Sequence, residues 1–223
     1  MKILAIEFSS SQRCVAVVQS RVDLETPSVS EVVETGGKVD EALGMIATAL
    51  REARCERAHI ERIAVGIGPG SYTGIRSAIA LAQGWQLCAG MGRVKLLAIS
   101  SAECLAAQAK AEGLAGRVAV VIDAQRGEFY LAAYEIGACG CRETEPLRLA
   151  SREQVEAQEL AGAVLIGPDV KNWFPGGRLM FPRAATLGLL AVGGTDFVSG
   201  EKIEPIYLRE TRFVKAPPPR VLP

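Results

Sequence analysis

One strand–turn–strand pattern occurs twice in this chain, near the N-terminus and again just past the midpoint. Residues 4–18 read LAIEFSSSQRCVAVV, and residues 119–134 read AVVIDAQRGEFYLAAY. In each copy an apolar strand ends in an acidic residue, Glu7 or Asp123, and a short polar turn leads into a second apolar strand. This repeat constrains the fold strongly, because a duplicated unit of this kind predicts two related α/β halves that face each other across a cleft.

Helical and strand patterns alternate after each copy of the repeat. Alternation that follows a hairpin predicts a mixed sheet in each half, with helices packed on it. The predicted strands cover residues 2–8, 13–19, 28–35, 60–68, 94–100, 144–150 and 163–168, besides the second copy of the repeat at 117–136. The predicted helices cover residues 38–54, 73–89, 101–111, a short stretch from 151, and 180–194.

The boundary between the halves is predicted within residues 113–117. The N-terminal half is then residues 1–113, and the C-terminal half is residues 114–223. The second half ends in a proline-rich tail that cannot continue a helix and is expected to be extended.

Composition favours a folded protein without a membrane segment or a general nucleic-acid surface. Of the 223 residues, 49% are hydrophobic, which is enough to bury one good core or two small ones. Lysine plus arginine equal aspartate plus glutamate at 25 each, so nucleic acid would be bound locally or through a partner. No apolar run approaches the roughly 20 residues of a membrane span, and the first residues lack a signal-peptide pattern. We therefore expect a cytoplasmic protein.

The chain contains a single histidine, which excludes several kinds of catalytic site. His59 is in the charged connector CERAHIERI, where we expect a solvated loop side chain. A histidine-rich zinc site is excluded, and a Ser-His-Asp or Cys-His arrangement would have to use His59. The six cysteines include no CxxC pair, so we expect them to be reduced and mostly buried. We predict no metal site and no catalytic residue.

A glycine-rich turn, GPGSYTG at residues 68–74, connects a predicted strand to a predicted helix. Its N–H groups could bind an anion beside the helix N-terminus, but it lacks the lysine of a P-loop and the G-x-G-x-x-G spacing. The alternative is a structural turn whose glycines permit positive φ and whose Thr73 caps the helix. The same two interpretations, phosphate contact or turn formation, apply to Glu7 and to the serines at residues 9–11 of the first hairpin. The candidate nucleotide or phosphate contacts are Glu7, Ser9, Ser10, Gly70, Ser71 and Asp123.

The helix after the glycine-rich turn has almost no polar face. Such a helix must be covered on both sides; the sheet can cover one side, and the other is an apolar patch that indicates a protein partner. Small residues of the first helix, such as Gly44 and Ala49, would let another helix approach closely. Arg76 could pair either with an acidic residue of the partner or with a phosphate, and the sequence does not decide between them. The predicted partner interface consists of Val39, Leu43, Ile46, Ala47, Leu50, Thr73, Ile75, Arg76, Ile79, Ala82, Gln83 and Gln86.

Five segments occur in an order and spacing that closely resembles the bacterial TsaB (YeaZ) family, over nearly the whole chain. The segments are ILAIEFSSSQRCVAVV, AVGIGPGSYTGIRSAIALAQG, LLAISSAECLA, VVIDAQRGEFYLAAY and EPIYLRE. The most specific combination is GPGSYTGIR at residues 68–76 with D-x-x-R-G-E-x-Y at residues 123–130. The resemblance implies the α/β actin-like ATPase fold (the ASKHA, ribonuclease H-like class), in which two related halves flank a cleft.

The resemblance also implies a role in forming N6-threonylcarbamoyladenosine at position 37 of ANN-decoding tRNAs. A separate synthase makes threonylcarbamoyl-AMP, a catalytic paralogue of the TsaD type transfers the group to tRNA, and a TsaE-type ATPase completes the cycle. TsaB-like proteins dimerise with and activate the catalytic paralogue through two helices that form a four-helix bundle with their counterparts. We expect a homodimer through the same surface when that partner is absent. We expect tRNA contact mainly through the complex and no required cofactor; the subunit junction is the expected place for ATP or ADP.

In the catalytic paralogue, two histidines on the helix after the fifth strand hold a metal. The matching segment is ISSAECLAA, where Ser101 and Leu105 stand in those positions, and neither can replace an imidazole ligand. The resemblance therefore implies an accessory subunit without catalytic activity. Two positions depart from the family pattern: Glu7 stands where the first strand usually ends in Asp, and GGKVDEAL lacks the histidine that most relatives carry early in the first helix.

Two other functions remain open at this point. An actin-fold ATPase or kinase would turn over its own nucleotide through Glu7 and Asp123. A peptidase, the older glycoprotease-like label of the family, would need a nucleophile and a base that the chain does not supply. A basic stretch near the C-terminus is interpreted as a solvated tail, with contact to tRNA or partner as the alternative. It contains Arg209, Arg212, Lys215 and Arg220.

Overall fold

The first half of the protein is a five-stranded mixed sheet. An antiparallel meander consists of β1 (Lys2–Glu7), β2 (Gln12–Gln19) and β3 (Ser28–Thr35). β4 (Arg62–Gly66) pairs in parallel with β1, and β5 (Lys95–Ile99) pairs in parallel with β4, which gives the order β3-β2-β1-β4-β5. The structure, a computed structural model, describes residues 1–20, 26–36, 41–90 and 92–209.

The second half repeats this sheet strand for strand. β6 (Gly116–Asp123), β7 (Phe129–Gly137) and β8 (Gly140–Ala150) form the meander. β9 (Val164–Gly167) pairs in parallel with β6, and β10 (Arg178–Leu179) pairs in parallel with β9. Read from its meander edge, the order is β8-β7-β6-β9-β10, the same topology as in the first sheet. The duplication predicted from the two sequence copies is confirmed.

The helices occupy matching places in the two halves. One helix lies between the third and fourth strands of each half, one lies between the fourth and fifth, and one follows the fifth. They are α1 (Ala42–Glu52), α2 (Tyr72–Ala89), α3 (Ser101–Ala111), α4 (Arg152–Leu160), α5 (Val170–Trp173) and α6 (Ala184–Gly193). Within the described ranges, no helix is long and apolar enough to cross a membrane.

Several element boundaries differ from the sequence predictions. The helix predicted over 180–194 begins only at Ala184, because Pro182 disfavours helical backbone in the residue before it. β8 starts at Gly140, four residues before the predicted strand, and neither β10 nor α5 was predicted. The predicted first helix is described from Ala42 onwards, since residues 37–40 lie outside the described ranges.

The two faces of the first sheet are covered by helices from different parts of the chain. On one face, α1 and α2 pack on alternate strand residues such as Leu4 and Ile6. On the other face, α6 packs on the intervening residues, such as Ile3 and Ala5. Alternation of buried side chains to both faces is the pattern of a strand covered on both sides.

The two halves exchange a helix across the cleft. α6, from the second half, packs on the first sheet, whereas α3, from the first half, packs on the second sheet through Leu105, Ala106 and Ala109. The predicted boundary at residues 113–117 therefore lies between the two sheets but does not separate their helices. Because each half supplies a cover for the other, the two sheets are expected to unfold together.

Both ends of α6 are fixed by polar contacts from the first sheet. At its N-terminal end, the Ala185 N–H donates to Glu31 Oε1 at 2.9 Å, and Arg183 pairs with the same carboxylate. At its C-terminal end, Arg62 Nη1 donates to the carbonyls of Ala191 at 2.8 Å and Gly194 at 3.0 Å. Backbone N–H and C=O groups at helix ends have no intrahelical partners, and these contacts from the first sheet satisfy them.

The packing of α6 predicts opposite effects for two glycine-to-alanine changes. A Cβ at Gly188 would overlap Val18 Cγ2 and contact Ala5, so Gly188→Ala should lower the free energy of unfolding by about 1–3 kcal/mol. A Cβ at Gly44 in α1 meets nothing within 4 Å, so Gly44→Ala should raise it by up to about 1 kcal/mol. Urea unfolding of both variants provides the measurement. Equal stabilisation by the two changes would contradict the close approach of α6 to the first sheet.

Candidate functional site

A cleft of about 610 Å³ opens between the two halves. The first half contributes the hairpin turn at residues 9–11 and the glycine-rich turn at residues 70–72. The second half contributes residues 122–125 and 168–169, and Tyr207 from the C-terminal segment completes the wall. Five of the six predicted nucleotide contacts line this cleft: Ser9, Ser10, Gly70, Ser71 and Asp123.

The glycine-rich turn packs directly against the first hairpin. A Cβ at Gly70 would overlap the Ser9 carbonyl oxygen, and a Cβ at Gly74 would overlap the Phe8 carbonyl oxygen. The Ser71 N–H donates to the Ser9 carbonyl at 2.7 Å, and the Gly74 N–H donates to Ser71 Oγ at 3.3 Å. The glycines are therefore required by backbone contact, and two N–H groups at the start of α2 are already bonded within the chain. The helix cap is Ser71 rather than the predicted Thr73.

Glu7 is a buried structural residue and not a cleft residue, which corrects the prediction that it contacts nucleotide. Its side chain is fully buried, and its two oxygens accept hydrogen bonds from the Ser9 N–H at 2.7 Å and from Ser101 Oγ at 3.0 Å. It also covers Gly66, where any Cβ would overlap the carboxylate. Burial raises the pKa of Glu7, and these hydrogen bonds offset part of that rise.

The polar groups that do face the cleft are partly satisfied by their own turns. Ser10 Oγ donates to the Gln12 carbonyl at 2.8 Å, as a turn-forming serine does. Asp123 Oδ1 accepts from the Gln125 N–H at 2.7 Å. Asp169 also lines the cleft, and burial together with the negative charge of Asp123 raises its pKa. The cleft therefore presents two carboxylates close enough to interact and a row of serines.

Ser101 and Leu105, the two positions that the family resemblance predicted to replace metal-binding histidines, are buried in the core. Ser101 has no exposed surface and donates to Glu7, while Leu105 is fully buried against the second sheet. In the part of the chain that the structure describes, no group of three or more His, Cys, Asp or Glu residues could hold a metal ion. His59 is exposed, in a short 3₁₀ turn, as the sequence predicted.

Four of the twelve residues of the predicted partner interface face inward, which corrects that part of the prediction. Four of its apolar residues are buried between the helices and the first sheet: Ile46, Ile75, Ile79 and Ala82. Two polar ones contact the chain's own C-terminal segment, since Gln83 Nε2 donates to the Gly200 carbonyl at 2.8 Å and Gln86 Oε1 accepts from the Gly200 N–H at 3.2 Å. The four buried side chains are not available on the outer surface of α1 and α2, whereas the two glutamines are partly exposed and partly engaged by the C-terminal segment.

The outward surface of α1 and α2, named here the outer helix face, has a different composition. The exposed members of the predicted interface are Leu43, Ala47, Thr73 and Arg76, and Leu50 is half-buried. Ala80 and Leu87 on α2 were not predicted as interface residues but are also exposed. The exposed fractions of Leu43 and Leu87 are 69% and 68%. Val39 lies outside the described residues. The face carries two large exposed leucines among small side chains.

Two tyrosines and an arginine form a cluster where the outer helix face meets the cleft. The rings of Tyr72 and Tyr207 stack with centroids 5.5 Å apart. The Arg76 guanidinium lies 4.2 Å from the Tyr72 ring centroid, and its Nε donates to the Tyr207 hydroxyl at 3.2 Å. Tyr207 was not predicted as a site residue, although it lies in EPIYLRE, one of the segments that carry the family resemblance.

Arg209 contacts the second half, contrary to its interpretation as part of a solvated tail. Its Nη2 donates to the Ala124 carbonyl at 3.0 Å and the Gln125 carbonyl at 3.1 Å, and it pairs with Glu128. Gln125 and the two residues after it all have positive φ, so this arginine supports a turn of unusual backbone conformation. The other basic residues of that stretch lie outside the described ranges.

The duplicated 3-2-1-4-5 sheets and the cleft between them define an α/β protein of the actin-like ATPase fold. The family described as TsaD: tRNA N6-adenosine threonylcarbamoyltransferase matches residues 24–192. The tRNA threonylcarbamoyladenosine biosynthesis protein TsaB of Escherichia coli (strain K12) is 31% identical over 186 residues, which cover 75% of this chain and 78% of that protein. This chain belongs to the TsaB (YeaZ) family.

Two further relatives agree with this assignment. The protein of the same name from Bacillus subtilis (strain 168) is 30% identical over 139 residues, covering 60% of this chain and 56% of that protein. The solved structure of YeaZ from Pseudomonas aeruginosa superposes with a TM-score of 0.76 at 27% identity, covering 93% of this chain and 99% of that one. The fold expected from the family resemblance is confirmed.

The burial of Glu7 predicts how stability responds to its replacement. Because its pKa is raised above the ordinary 4.5 in the folded protein, the folded state holds this proton more readily than the unfolded state. Stability should therefore fall as pH rises through the folded-state pKa. Glu7→Gln removes the ionisation, so it should flatten that fall. Glu7→Ala leaves Ser101 Oγ without its acceptor and should cost about 1–3 kcal/mol.

Urea unfolding of the two Glu7 variants between pH 5 and 8 checks this. The structural role predicts that Glu7→Gln is at least as stable as the parent at the upper end of that range. A Glu7→Gln variant as unstable as Glu7→Ala would show that the ionised carboxylate itself is needed.

Proposed function

We propose that this protein is a non-catalytic subunit that binds and activates a TsaD-type transferase in the formation of N6-threonylcarbamoyladenosine in tRNA. The observation that carries the proposal is the outer helix face, an apolar surface on two helices that the rest of the described chain leaves exposed. Family membership supplies the reaction, because the curated relatives are named as tRNA threonylcarbamoyladenosine biosynthesis proteins.

The interior of the protein supports an accessory role. The two positions at which the catalytic paralogue would carry metal ligands hold Ser101, bonded to Glu7, and Leu105, packed in the core. A buried leucine and a hydroxyl already bonded within the chain offer no open coordination position. Substrate chemistry is therefore assigned to the partner.

The composition of the outer helix face supports binding of a TsaD-type transferase through α1 and α2. Small residues let helices approach closely, and Gly44, Ala47 and Ala80 are exposed on the two helices that also carry the exposed leucines Leu43 and Leu87. Fully burying one leucine contributes about 1.5–3 kcal/mol before the entropic costs of association. The same face would support a homodimer when the transferase is absent. A TsaE-type ATPase and the tRNA would join through the larger complex.

Leu43→Glu tests the face directly. A carboxylate at this position would be desolvated in the interface, so affinity for the TsaD-type paralogue of the same organism should fall at least about tenfold. Titration calorimetry measures the affinity, and a reconstituted threonylcarbamoyl transfer assay should lose activity in parallel. Leu43 is 69% exposed, so the fold should be unaffected. Ile79→Glu is unsuitable here, because Ile79 is buried in the core.

Leu160→Glu is the matched control for this test. Leu160 is 89% exposed at the end of α4, in the other half of the protein, so the same charge is added far from the outer helix face. It should bind and activate like the parent. Equal affinities of the Leu43 and Leu160 variants would rule out the outer helix face as the partner surface.

A second candidate, an actin-fold ATPase or kinase, is favoured by the cleft alone. Its volume of about 610 Å³ is within the range of small-molecule sites, and serines with Asp123 and Asp169 line it. Since Glu7 is buried, any nucleotide chemistry would depend on these two aspartates. ATP or ADP bound here, near the start of α2, would lie close to the proposed subunit junction.

Asp123→Asn decides between the two functions. As a non-catalytic subunit, the protein should release phosphate from ATP only at background rate, and neither Asp123→Asn nor the exposed control Asp196→Asn should change it. A turnover that Asp123→Asn abolishes and Asp196→Asn leaves intact would establish the ATPase function instead.

A further inference from the structure

Arg76 is the only charged residue in the eighteen residues of α2. It lies on the outward stripe of that helix, in a series spaced by three or four residues that contains Thr73, Ala80, Gly84 and Leu87. The stripe is otherwise apolar or small.

The guanidinium is held in place before any partner arrives. The Tyr72 ring lies 4.2 Å and the Tyr207 ring 5.9 Å from its central carbon, and its Nε is bonded to the Tyr207 hydroxyl at 3.2 Å. Tyrosine rings favour such a cation through their quadrupole. Among the described residues, its two terminal amino groups have no hydrogen-bond acceptor. They are therefore free to form the parallel pair of hydrogen bonds that a carboxylate accepts.

We infer that Arg76 binds a carboxylate of the partner subunit and is the charged anchor of the outer helix face. Tyr207 is its positioning residue, since it fixes Nε and leaves the terminal nitrogens to the partner. This inference rests on the proposed function. Interfaces of high affinity are enriched in arginine and tyrosine at the contacts that contribute most, which is the composition of this cluster.

The structure favours a carboxylate over a phosphate at this position. Phosphate sites at helix N-termini use free backbone N–H groups, and here the bonding of the Ser71 and Gly74 N–H groups within the chain leaves fewer of them. Arg76 does not line the cleft, which Tyr72 and Tyr207 do. The side chains that contact its guanidinium are the two tyrosines, Tyr72 and Tyr207. One fork-shaped cation matches one singly charged carboxylate.

The test compares Arg76→Gln with Arg142→Gln by calorimetric titration against the TsaD-type paralogue at low and high salt. Arg142 is an exposed arginine on β8 and serves as the control for lost charge. Arg76→Gln should weaken binding about 10- to 100-fold at low salt and by a smaller factor at high salt, because the pair is partly screened. Arg142→Gln should bind like the parent. Arg76→Lys should be intermediate, since it keeps the charge without the fork.

A double-mutant cycle tests the positioning role of Tyr207. Tyr207→Phe keeps the ring and removes the hydroxyl, so it should weaken binding in the parent but have no further effect in the Arg76→Gln background. Independent, additive losses would show that Tyr207 does not act through Arg76.

The outcomes separate this inference from the proposed function. Failure of the parent protein to bind the paralogue would overturn both. Loss of binding in Leu43→Glu with parent-like binding in Arg76→Gln would overturn the inference alone. A third outcome is that Arg76→Gln still binds the paralogue like the parent but no longer binds ATP, measured with ATP alone. That outcome would assign the arginine to phosphate binding and would also overturn the inference.

Discussion

The approach of the glycine-rich turn to the first hairpin determines where α2 lies, and much of the structure depends on it. The Phe8 and Ser9 carbonyls occupy the space that side chains at residues 74 and 70 would need, so the start of the helix rests directly on the end of β1. Glu7 fills the space behind this contact and ties it to α3 through Ser101. A turn of phosphate-binding appearance is thereby used to fix a helix against a sheet.

The position of α2 then sets both functional surfaces. Its inner side, with Ile75 and Ile79, is buried in the core, and Gln83 on one flank contacts the C-terminal segment at Gly200. What remains outside on α2 is a narrow stripe of exposed residues, and α1 separately exposes Leu43, Gly44 and Ala47. Because the same helix begins at the cleft, the cluster of Tyr72, Arg76 and Tyr207 touches the cleft wall on one side and the outer helix face on the other. The proposed partner surface and the cleft are therefore neighbours.

The duplicated fold was predictable from sequence because each copy of the repeat carries its own strand periodicity and acidic end. The inner and outer sides of α2 were not, since an apolar residue occurs at almost every position and periodicity cannot tell which side meets the sheet. The contacts of Gln83 and Gln86 with Gly200 join residues more than 100 positions apart, which no local pattern reports. The role of Glu7 was missed because an acid at a strand end looks the same in sequence whether it faces a cleft or the core. The direction in which these side chains face is therefore set by contacts between distant parts of the chain, whereas the fold class follows from local strand and helix patterns.

The most direct measurement is the mass of the species formed in solution, by light scattering on a size-exclusion column. The protein is run alone and mixed with the TsaD-type paralogue of the same organism. A partner subunit predicts that mixing produces a one-to-one heterodimer at the expense of any homodimer. Unchanged masses in the mixture, even with ATP and the TsaE-type ATPase present, would contradict the proposal that the outer helix face exists to bind the transferase.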